Sequence, residues 1–504
     1  MSFGFAVRAI VVAGLTLSSP TARAGAQPRV VSGPELIEDI RILRRALESL
    51  HPGLFRYNTP QQLERRFATL GAHLRNGATI AEAYLAIAEF TSGLQCGHTF
   101  PNPVNQSKAV AEAVFQSTSR VPFYFRWLGK TMVVTDDASA ERVFPRGTEI
   151  VSINGVPTAT ILDRLIRYTR TDGGNDAKRV ANLAIHQSER FEAFDVYYPV
   201  AFKPPAGAWT FRVRSPGGAI RTVSADPSTL AARMVVYDSL RRVSRDTTSP
   251  PWTLDVHDSI ATLRMPTWVT FNDNWDWKGW VQRAFEEIEV RRATTLVVDI
   301  RGNEGGTGVG DEILAHLIDR EVVPNKFRRY TRYRAIPGDL RPYLPTWDRS
   351  FDDWGAAARP AEAPPGSGTT GFYRLTRYDS DTAGATIRPL APRFRGRVFV
   401  LVGADNSSAT FEFALAVREN ALGTLVGQPT GGNQRGINGG AFYFLRLPNS
   451  GIEVDLPLIG QFASRLQPNA GLQPDVLVRV SAADVANGRD AELETVRRLV
   501  RAFE

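Results

Sequence analysis

The chain has 504 residues, of which 43% are hydrophobic and 22% charged, and its formal net charge is +8 at pH 7. This length predicts about three domains, and the composition is typical of soluble globular proteins. Cys96 is the only cysteine, which excludes an intramolecular disulfide. The basic residues are dispersed rather than gathered into one surface pattern, so we expect no nucleic-acid partner.

Residues 1–26 have the features of a secretory signal peptide. Arg8 comes early, an apolar run covers Ala9 to Leu17, and Ala22-Arg-Ala24 has the small-x-small pattern of a cleavage site. The apolar run is too short to span a bilayer. We therefore expect a periplasmic or secreted protein that meets a membrane only through an uncleaved signal.

Residues 32–104 predict a helical domain, because amphipathic stretches follow one another with little interruption. The domain ends in Gln95-Cys-Gly-His98-Thr, where glycine precedes a histidine. A lone histidine is usually structural. Gly97, however, allows a close approach of the backbone to another group, which favours a role in a site.

Residues 115–228 predict mainly β-strands. The stretch from Gly147 to Pro157, with its Asn-Gly turn, followed by a helix from Thr158 to Tyr168, resembles part of a PDZ domain. PDZ domains bind extended peptide ends by adding a strand to a sheet edge. Residues 229–251 become polar after a short apolar start and predict a linker.

From residue 252 to residue 504 the pattern is one of apolar strands alternating with helices. Such alternation predicts right-handed βαβ units and a mainly parallel sheet. Residues 322–393 interrupt it with proline, arginine and aromatic residues that show no periodicity. We interpret this segment as an insertion over the sheet that forms a lid or a wall of a substrate site.

Ser408 lies where a buried strand, Val398 to Val402, passes through a short polar turn into a helix. The free backbone N–H groups at such a helix start favour a developing negative charge. Ser408 is therefore a candidate nucleophile. The alternative is that Asn406, Ser407 and Ser408 only cap the helix.

A glycine-rich turn follows a second buried strand, in the sequence Asp299-Ile-Arg-Gly-Asn-Glu-Gly-Gly306. It lacks the lysine and serine or threonine of a phosphate-binding loop and the spacing of a dinucleotide fingerprint. Next to a serine on a neighbouring strand-to-helix junction, its amides would form an oxyanion hole. A plain tight turn would use the glycines equally well.

Taken together, these stretches resemble the carboxy-terminal processing (tail-specific) and tricorn-core family of serine peptidases. The resemblance implies an α/β fold, with a crotonase-like (ClpP-like) core, an N-terminal helical segment and a PDZ-like β domain. It also implies Ser408 as nucleophile and an oxyanion hole made by the amides of Gly305 or Gly306 with that of Ala409. Four motifs carry it in the family's order: Val298–Gly306, Asn406–Ala414, Leu425–Gly432 and Gly471–Asp475.

The family divides by the base that activates the serine. One branch has a lysine where this chain has Asn433, and no lysine follows Lys326. The tricorn-like branch uses a histidine in an Asp-Gly-His-Thr stretch, which Cys96-Gly-His98-Thr resembles. The resemblance therefore implies His98 as the general base.

Two positions depart from the tricorn-like pattern. The glutamate expected shortly before Gly471 is absent, so Gln467 or Asn469 would orient His98 instead, with Glu453 and Asp455 as further alternatives. Cys96 stands where the family often has aspartate, and as a nucleophile it would lack the oxyanion context.

The sequence thus predicts an exported serine peptidase that acts on peptides or proteins, including their C-terminal tails, without a cofactor or a metal. One alternative is a catalytically weak or inactive relative that binds an apolar ligand or a peptide, as the retinoid-binding relatives of the family do. Another alternative is a scaffold whose PDZ-like domain recruits partners.

Overall fold

The computed structural model describes residues 29–115, 119–186, 191–241, 251–270, 275–323, 327–377 and 386–502. The signal-like segment 1–26 lies outside these residues. The described chain is a mixed α/β protein built from several sheets and layers of helices. Among its described helices, none combines the length and apolar character needed to cross a membrane.

The N-terminal part is mainly helical. Ser32, Thr59 and Thr79 each form a capping box at a helix start, which explains why the three helices begin where they do. The apolar faces of these helices pack into one core. The elements are β1 (Val30–Val31), α1 (Gly33–Leu50), α2 (Pro60–Leu74), β2 (Ala78–Thr79), α3 (Ile80–Gly93) and α4 (Lys108–Phe115).

The middle part is an antiparallel sheet with helices packed on it. Its strand order is β3-β4-β5-β7-β8, with β6 paired on β5. The elements are β3 (Phe123–Leu128), β4 (Thr131–Asp137), β5 (Glu149–Ile153), β6 (Val156–Pro157), α5 (Thr158–Leu165), α6 (Asp176–Ala181), α7 (Ala193–Phe202), β7 (Trp209–Arg214), β8 (Ile220–Ala225) and α8 (Leu230–Arg241).

Helix α8 occupies most of the described part of the segment predicted to be a linker. The side chain of Arg233 is buried there and forms an ion pair with Asp195 of α7. The hydroxyl of Tyr124 donates to the carbonyl oxygen of Arg233 at 2.8 Å. These polar contacts hold α8 against the middle part. The spacing of apolar residues in the sequence does not predict such contacts.

The C-terminal part contains the predicted parallel sheet, in the order β19-β16-β15-β11-β10-β9. All neighbouring pairs are parallel except β10 with β9 at one edge. The elements up to the insertion are β9 (Thr253–His257), β10 (Ile260–Arg264), α9 (Trp277–Val290), β11 (Thr295–Asp299) and α10 (Val309–Ala315). Every residue of β11 is buried, as a central strand covered on both faces requires.

The segment 322–393 contributes strands to a second sheet. Its described strands are β12 (Phe327–Thr331), β13 (Ala358–Ala361) and β14 (Phe372–Leu375), and they join later strands in the order β13-β14-β12-β18-β17. The remaining elements are β15 (Arg397–Val402), α11 (Ser408–Glu419), β16 (Thr424–Gly427), β17 (Asn438–Arg446), β18 (Glu453–Ala463), β19 (Val476–Leu477), α12 (Ala482–Ala486) and α13 (Ala491–Arg501). The strands of the insertion are too short for an alternation to stand out, and β12 pairs with the distant β18.

Candidate active site

The turn between β15 and α11 is fixed by the buried side chain of Asn406. Its amide nitrogen donates to the carbonyl oxygens of Ile300 at 2.5 Å and Asn303 at 3.0 Å. Its amide oxygen accepts a hydrogen bond from the backbone nitrogen of Gly403 at 2.7 Å. One side chain thus joins the turn before α11 to the turn after β11, and both turns lie at the carboxyl ends of neighbouring parallel strands.

Ser408 follows this turn with its backbone at φ +51°, in the left-handed region. A residue other than glycine at such an angle carries strain on the order of 1 kcal/mol, which the surrounding structure must offset. The preceding Ser407 is engaged, because its hydroxyl donates to the carbonyl oxygen of Glu304 at 3.2 Å. The Ser408 side chain is half-buried and, within the described residues, makes no hydrogen bond that would cap the helix.

The glycine turn packs directly against Ser408. Gly305 has φ +104°, and a Cβ placed on it would lie 2.9 Å from the nitrogen of Ala409 and 3.0 Å from the Cβ of Ser408. Gly306 has φ +135°, and a Cβ there would lie 2.4 Å from the carbonyl oxygen of Trp268. Only glycine fits either position.

The amide of Gly305 donates to the side-chain oxygen of Asn303 at 2.9 Å. It is therefore occupied in this arrangement. The amides of Gly306 and Ala409 have no acceptor among the described residues. Of the amides predicted to hold an oxyanion, Gly306 and Ala409 are the pair that remains available.

His98 lies in the loop after α3, and the next residue anchors that loop. The hydroxyl of Thr99 lies 2.8 Å from Nε2 of His51, and Nδ1 of His51 accepts a hydrogen bond from the backbone nitrogen of Gly53. The second bond fixes the tautomer of His51, so Nε2 carries the proton and donates to Thr99. Because His51 is buried, this contact holds one side of the His98 loop in place.

The carboxylate of Asp172 lies beside the His98 loop. Its Oδ1 accepts a hydrogen bond from the backbone nitrogen of Gly97 at 2.9 Å, and a Cβ on Gly97 would lie 2.6 Å from its Oδ2. Burial lowers the pKa of His98 from its ordinary value of 6.5, while the negative charge of Asp172 opposes that shift. His98 is therefore a neutral imidazole at pH 7, which is the form that accepts a proton.

The side chains predicted to orient His98 form no hydrogen bond with it among the described residues. Its Nδ1 is buried and has no hydrogen-bond partner within the described chain. The backbone oxygen of Gln467 accepts from Arg435, and Asn469 accepts from Asn433 and from the backbone of Gly174.

The two further carboxylates considered for this role are also engaged elsewhere. Both oxygens of Asp455 accept amide hydrogen bonds, from Asn102 and Asn105. Glu453 forms an ion pair with Arg446. Cys96 is buried, and burial raises the pKa of its thiol, which disfavours a nucleophilic role.

A group of charges from the middle part joins the two candidate segments. Arg170 donates to the carbonyl oxygen of Gly97 at 3.2 Å and to Glu304 at 2.9 Å. The ammonium of Lys178 donates to the other oxygen of Glu304 at 2.5 Å. The sequence reading missed these residues. The signal that the sequence offered is Glu304 itself, a charged residue directly before two glycines.

A cavity of about 360 Å³ lies between the same segments. Glu304, Gly305 and Asp405 form one side of it, and Phe100 forms part of another. The cavity therefore opens beside the glycine turn that packs on Ser408, and helix α7 closes it with residues such as Ala193.

A parallel sheet with a strained serine at a strand-to-helix turn, beside a glycine turn, is a framework suited to acyl transfer. Residues 259–478 match the model described as Peptidase family S41. The protein is a serine-type peptidase. Residues 259–478 form a core similar to that of peptidase family S41.

Two solved structures of mature CPAF share the fold over nearly the whole chain. Mature CPAF in complex with lactacystin has 15% identity and a TM-score of 0.60, over 93% of this chain and 98% of that chain. Mature CPAF alone has 15% identity and a TM-score of 0.59, over 93% of this chain and 97% of that chain. The photosystem II D1 C-terminal processing protease has 17% identity and a TM-score of 0.40, over 91% of this chain and 98% of that chain. No curated protein sequence matches the chain.

Proposed function

We propose that the protein hydrolyses peptide bonds with Ser408 as the nucleophile and His98 as the general base, in the manner of the tricorn-like branch of its family. The Ser408 hydroxyl attacks the carbonyl carbon of the scissile bond and gives its proton to His98. The carbonyl oxygen becomes an oxyanion held by the amides of Gly306 and Ala409.

The tetrahedral intermediate then collapses with loss of the amine. The C–N bond breaks, His98 returns the proton to the leaving nitrogen, and an ester on Ser408 remains. Water attacks this ester with His98 again as base, and the carboxylic acid leaves as Ser408 recovers its proton.

The observation that carries this proposal is the contact of the glycine turn with the serine. Gly305 leaves no room for a side chain between the glycine turn, the Ala409 amide and the Ser408 side chain. Neighbouring Asn406 and Ser407 are held by hydrogen bonds, whereas the half-buried Ser408 side chain makes none with the described residues. The neutral state of His98 at pH 7 supports its role as base.

The proposal includes the substrate and the place of action. The substrate is an extended peptide or protein, with a side chain next to the scissile bond in the 360 Å³ cavity. The antiparallel sheet of the middle part acts as a PDZ-like module that binds the substrate's C-terminal tail. The core is of the crotonase-like type, and the signal-like segment directs the protein to the periplasm or the outside of the cell.

A labelled fluorophosphonate tests the nucleophile. We expect it to modify the purified protein, Ser408→Ala to abolish the modification, and Cys96→Ala to retain it. Labelling that persists in Ser408→Ala contradicts the assignment of the nucleophile. Absence of labelling in the unmodified protein contradicts the proposed hydrolysis and favours the alternative, a relative that binds an apolar ligand or a peptide without turnover. The observation that favours that alternative is that Nδ1 of His98 has no hydrogen-bond partner in the part of the chain that the structure describes.

A further inference from the structure

Glu304 is an unusual residue to find inside a glycine turn. Its side chain is 43% exposed, yet both carboxylate oxygens are engaged, one by Lys178 and the other by Arg170. Burial would raise the pKa of Glu304, but these two cations outweigh it and hold the pKa well below its usual range. Glu304 is thus a carboxylate at pH 7, clamped between two cations of the middle part.

Lys178 connects Glu304 with the loop before Ser408. Its side chain is only 3% exposed, and its ammonium also donates to the carbonyl oxygen of Asp405 at 3.0 Å and to the hydroxyl of Ser407 at 3.4 Å. All three N–H donors of the ammonium therefore have acceptors. A buried ammonium is tolerated only when it is paired, and Glu304 supplies the opposite charge.

The pair of Glu304 and Lys178 joins the glycine turn to the turn before α11, and the proposed hydrolysis requires these two turns to lie at a fixed distance. Glu304 directly precedes Gly305, and the carbonyl oxygen of Glu304 accepts from Ser407 at 3.2 Å. Lys178 reaches the loop one and three residues before Ser408. The ion pair is therefore a further tie, besides Asn406, between the turn that carries the Gly306 amide and the turn that precedes the Ala409 amide.

We propose that Glu304 is a positioning residue for the hydrolysis, which keeps the glycine turn seated on the start of α11 through its pair with Lys178. The inference deepens the proposed function and rests on it. Glu304 touches neither the scissile bond nor the transferred proton. Its loss would misplace the oxyanion amides and so raise the barrier, with little change in how the substrate binds.

The test compares Glu304→Gln with the unmodified protein. Glutamine keeps the size of the side chain and removes its charge. We expect the maximal rate of fluorophosphonate modification, and kcat for labelled casein, to fall about tenfold to a hundredfold, while the inhibitor constant and KM change by less than about threefold. Glu89→Gln is the matched control, because Glu89 also pairs with an arginine, Arg167, on a part-exposed surface.

The double variant Glu304→Gln with Lys178→Met separates positioning from stability. It removes the unpaired ammonium, so the thermal midpoint should recover while kcat stays low. Two results would overturn the inference and leave the proposed function standing. One is that the thermal midpoint and kcat recover together in the double variant. The other is that kcat of Glu304→Gln stays within about threefold of that of the unmodified protein. A wild-type protein that is neither labelled nor active would overturn the proposed function instead.

Discussion

Replacing Gly305 by alanine should disable the site without unfolding the protein. The new methyl group would lie 2.8 Å from the carbonyl oxygen of Ser407, 2.9 Å from the nitrogen of Ala409 and 3.0 Å from the Cβ of Ser408. Ordinary contacts of a Cβ are 3.4–4 Å. The glycine turn and the start of α11 would therefore have to separate by about half an ångström, because each of these neighbours is a backbone atom or a Cβ that cannot rotate away.

The magnitude has two parts. The left-handed backbone of Gly305 costs an alanine about 1 kcal/mol in stability. A misplacement of 1 Å between reacting groups lowers the reaction rate about a hundredfold. Half of that displacement should therefore lower kcat/KM about tenfold or more. Gly488 has φ +64° and no neighbour within 4 Å of a Cβ, so Gly488→Ala carries the strain without the contacts.

The assay measures kcat/KM for labelled casein, together with the rate of fluorophosphonate modification and the thermal midpoint. We expect a lower midpoint for Gly305→Ala than for Gly488→Ala, because the close contacts add to the backbone strain, and a loss of rate in Gly305→Ala alone. Equal rates in Gly305→Ala and Gly488→Ala would refute the argument that the glycine turn must touch the nucleophile turn.

Three further predictions concern the base, its loop and the cavity. Asp172→Asn removes a negative charge that raises the pKa of His98. The fall of kcat/KM at acid pH, which we expect below pH 6.5 in the unmodified protein, should therefore move to lower pH in this variant. A shift to higher pH would contradict this. Burial first, and then Arg56, lowers the pKa of His51 to about 3. The folded state therefore loses stability as pH falls below 6.5, by about 1.4 kcal/mol per unit, and the thermal midpoint of His51→Gln should fall less steeply there; an unchanged slope would count against it. Ala193→Phe narrows the cavity and should raise KM for casein about tenfold, with fluorophosphonate modification unchanged; an unchanged KM would exclude the cavity from substrate binding.

The parts of the fold that the sequence predicts are those with local signals. The strand before Ser408 is a run of valine, phenylalanine and leucine, and such a run is buried on both faces wherever a parallel sheet forms. The capping boxes at Ser32, Thr59 and Thr79 mark helix starts within four residues of chain. The glycine turn is equally local, since positive φ angles at Gly305 and Gly306 exclude other residues.

The parts that the sequence does not predict depend on contacts between distant segments. Asp172 and Lys178 lie in a polar stretch without periodicity, and nothing in that stretch indicates that one reaches Gly97 and the other Ser407. Helix α8 is docked by the buried Arg233, a residue type that a search for apolar faces passes over. The prediction for Gln467 depends only on its place in the chain, and in the structure its backbone oxygen accepts a hydrogen bond from Arg435.

The absence of the expected glutamate before Gly471 changes where the base obtains its electrostatic support. Asp172 raises the pKa of His98 from the side of Gly97, and it comes from the same segment that supplies Lys178 to the glycine turn. The residues between 170 and 178 therefore act on the proposed base at one end and on the glycine turn at the other. A carboxylate that acts through space stabilises the imidazolium without fixing the ring, whereas a hydrogen-bonded one does both. The orientation of His98 must then come from packing. The Thr99 anchor lies on one side, and on the other the ring centroid of Phe442 lies 6.0 Å from that of His98.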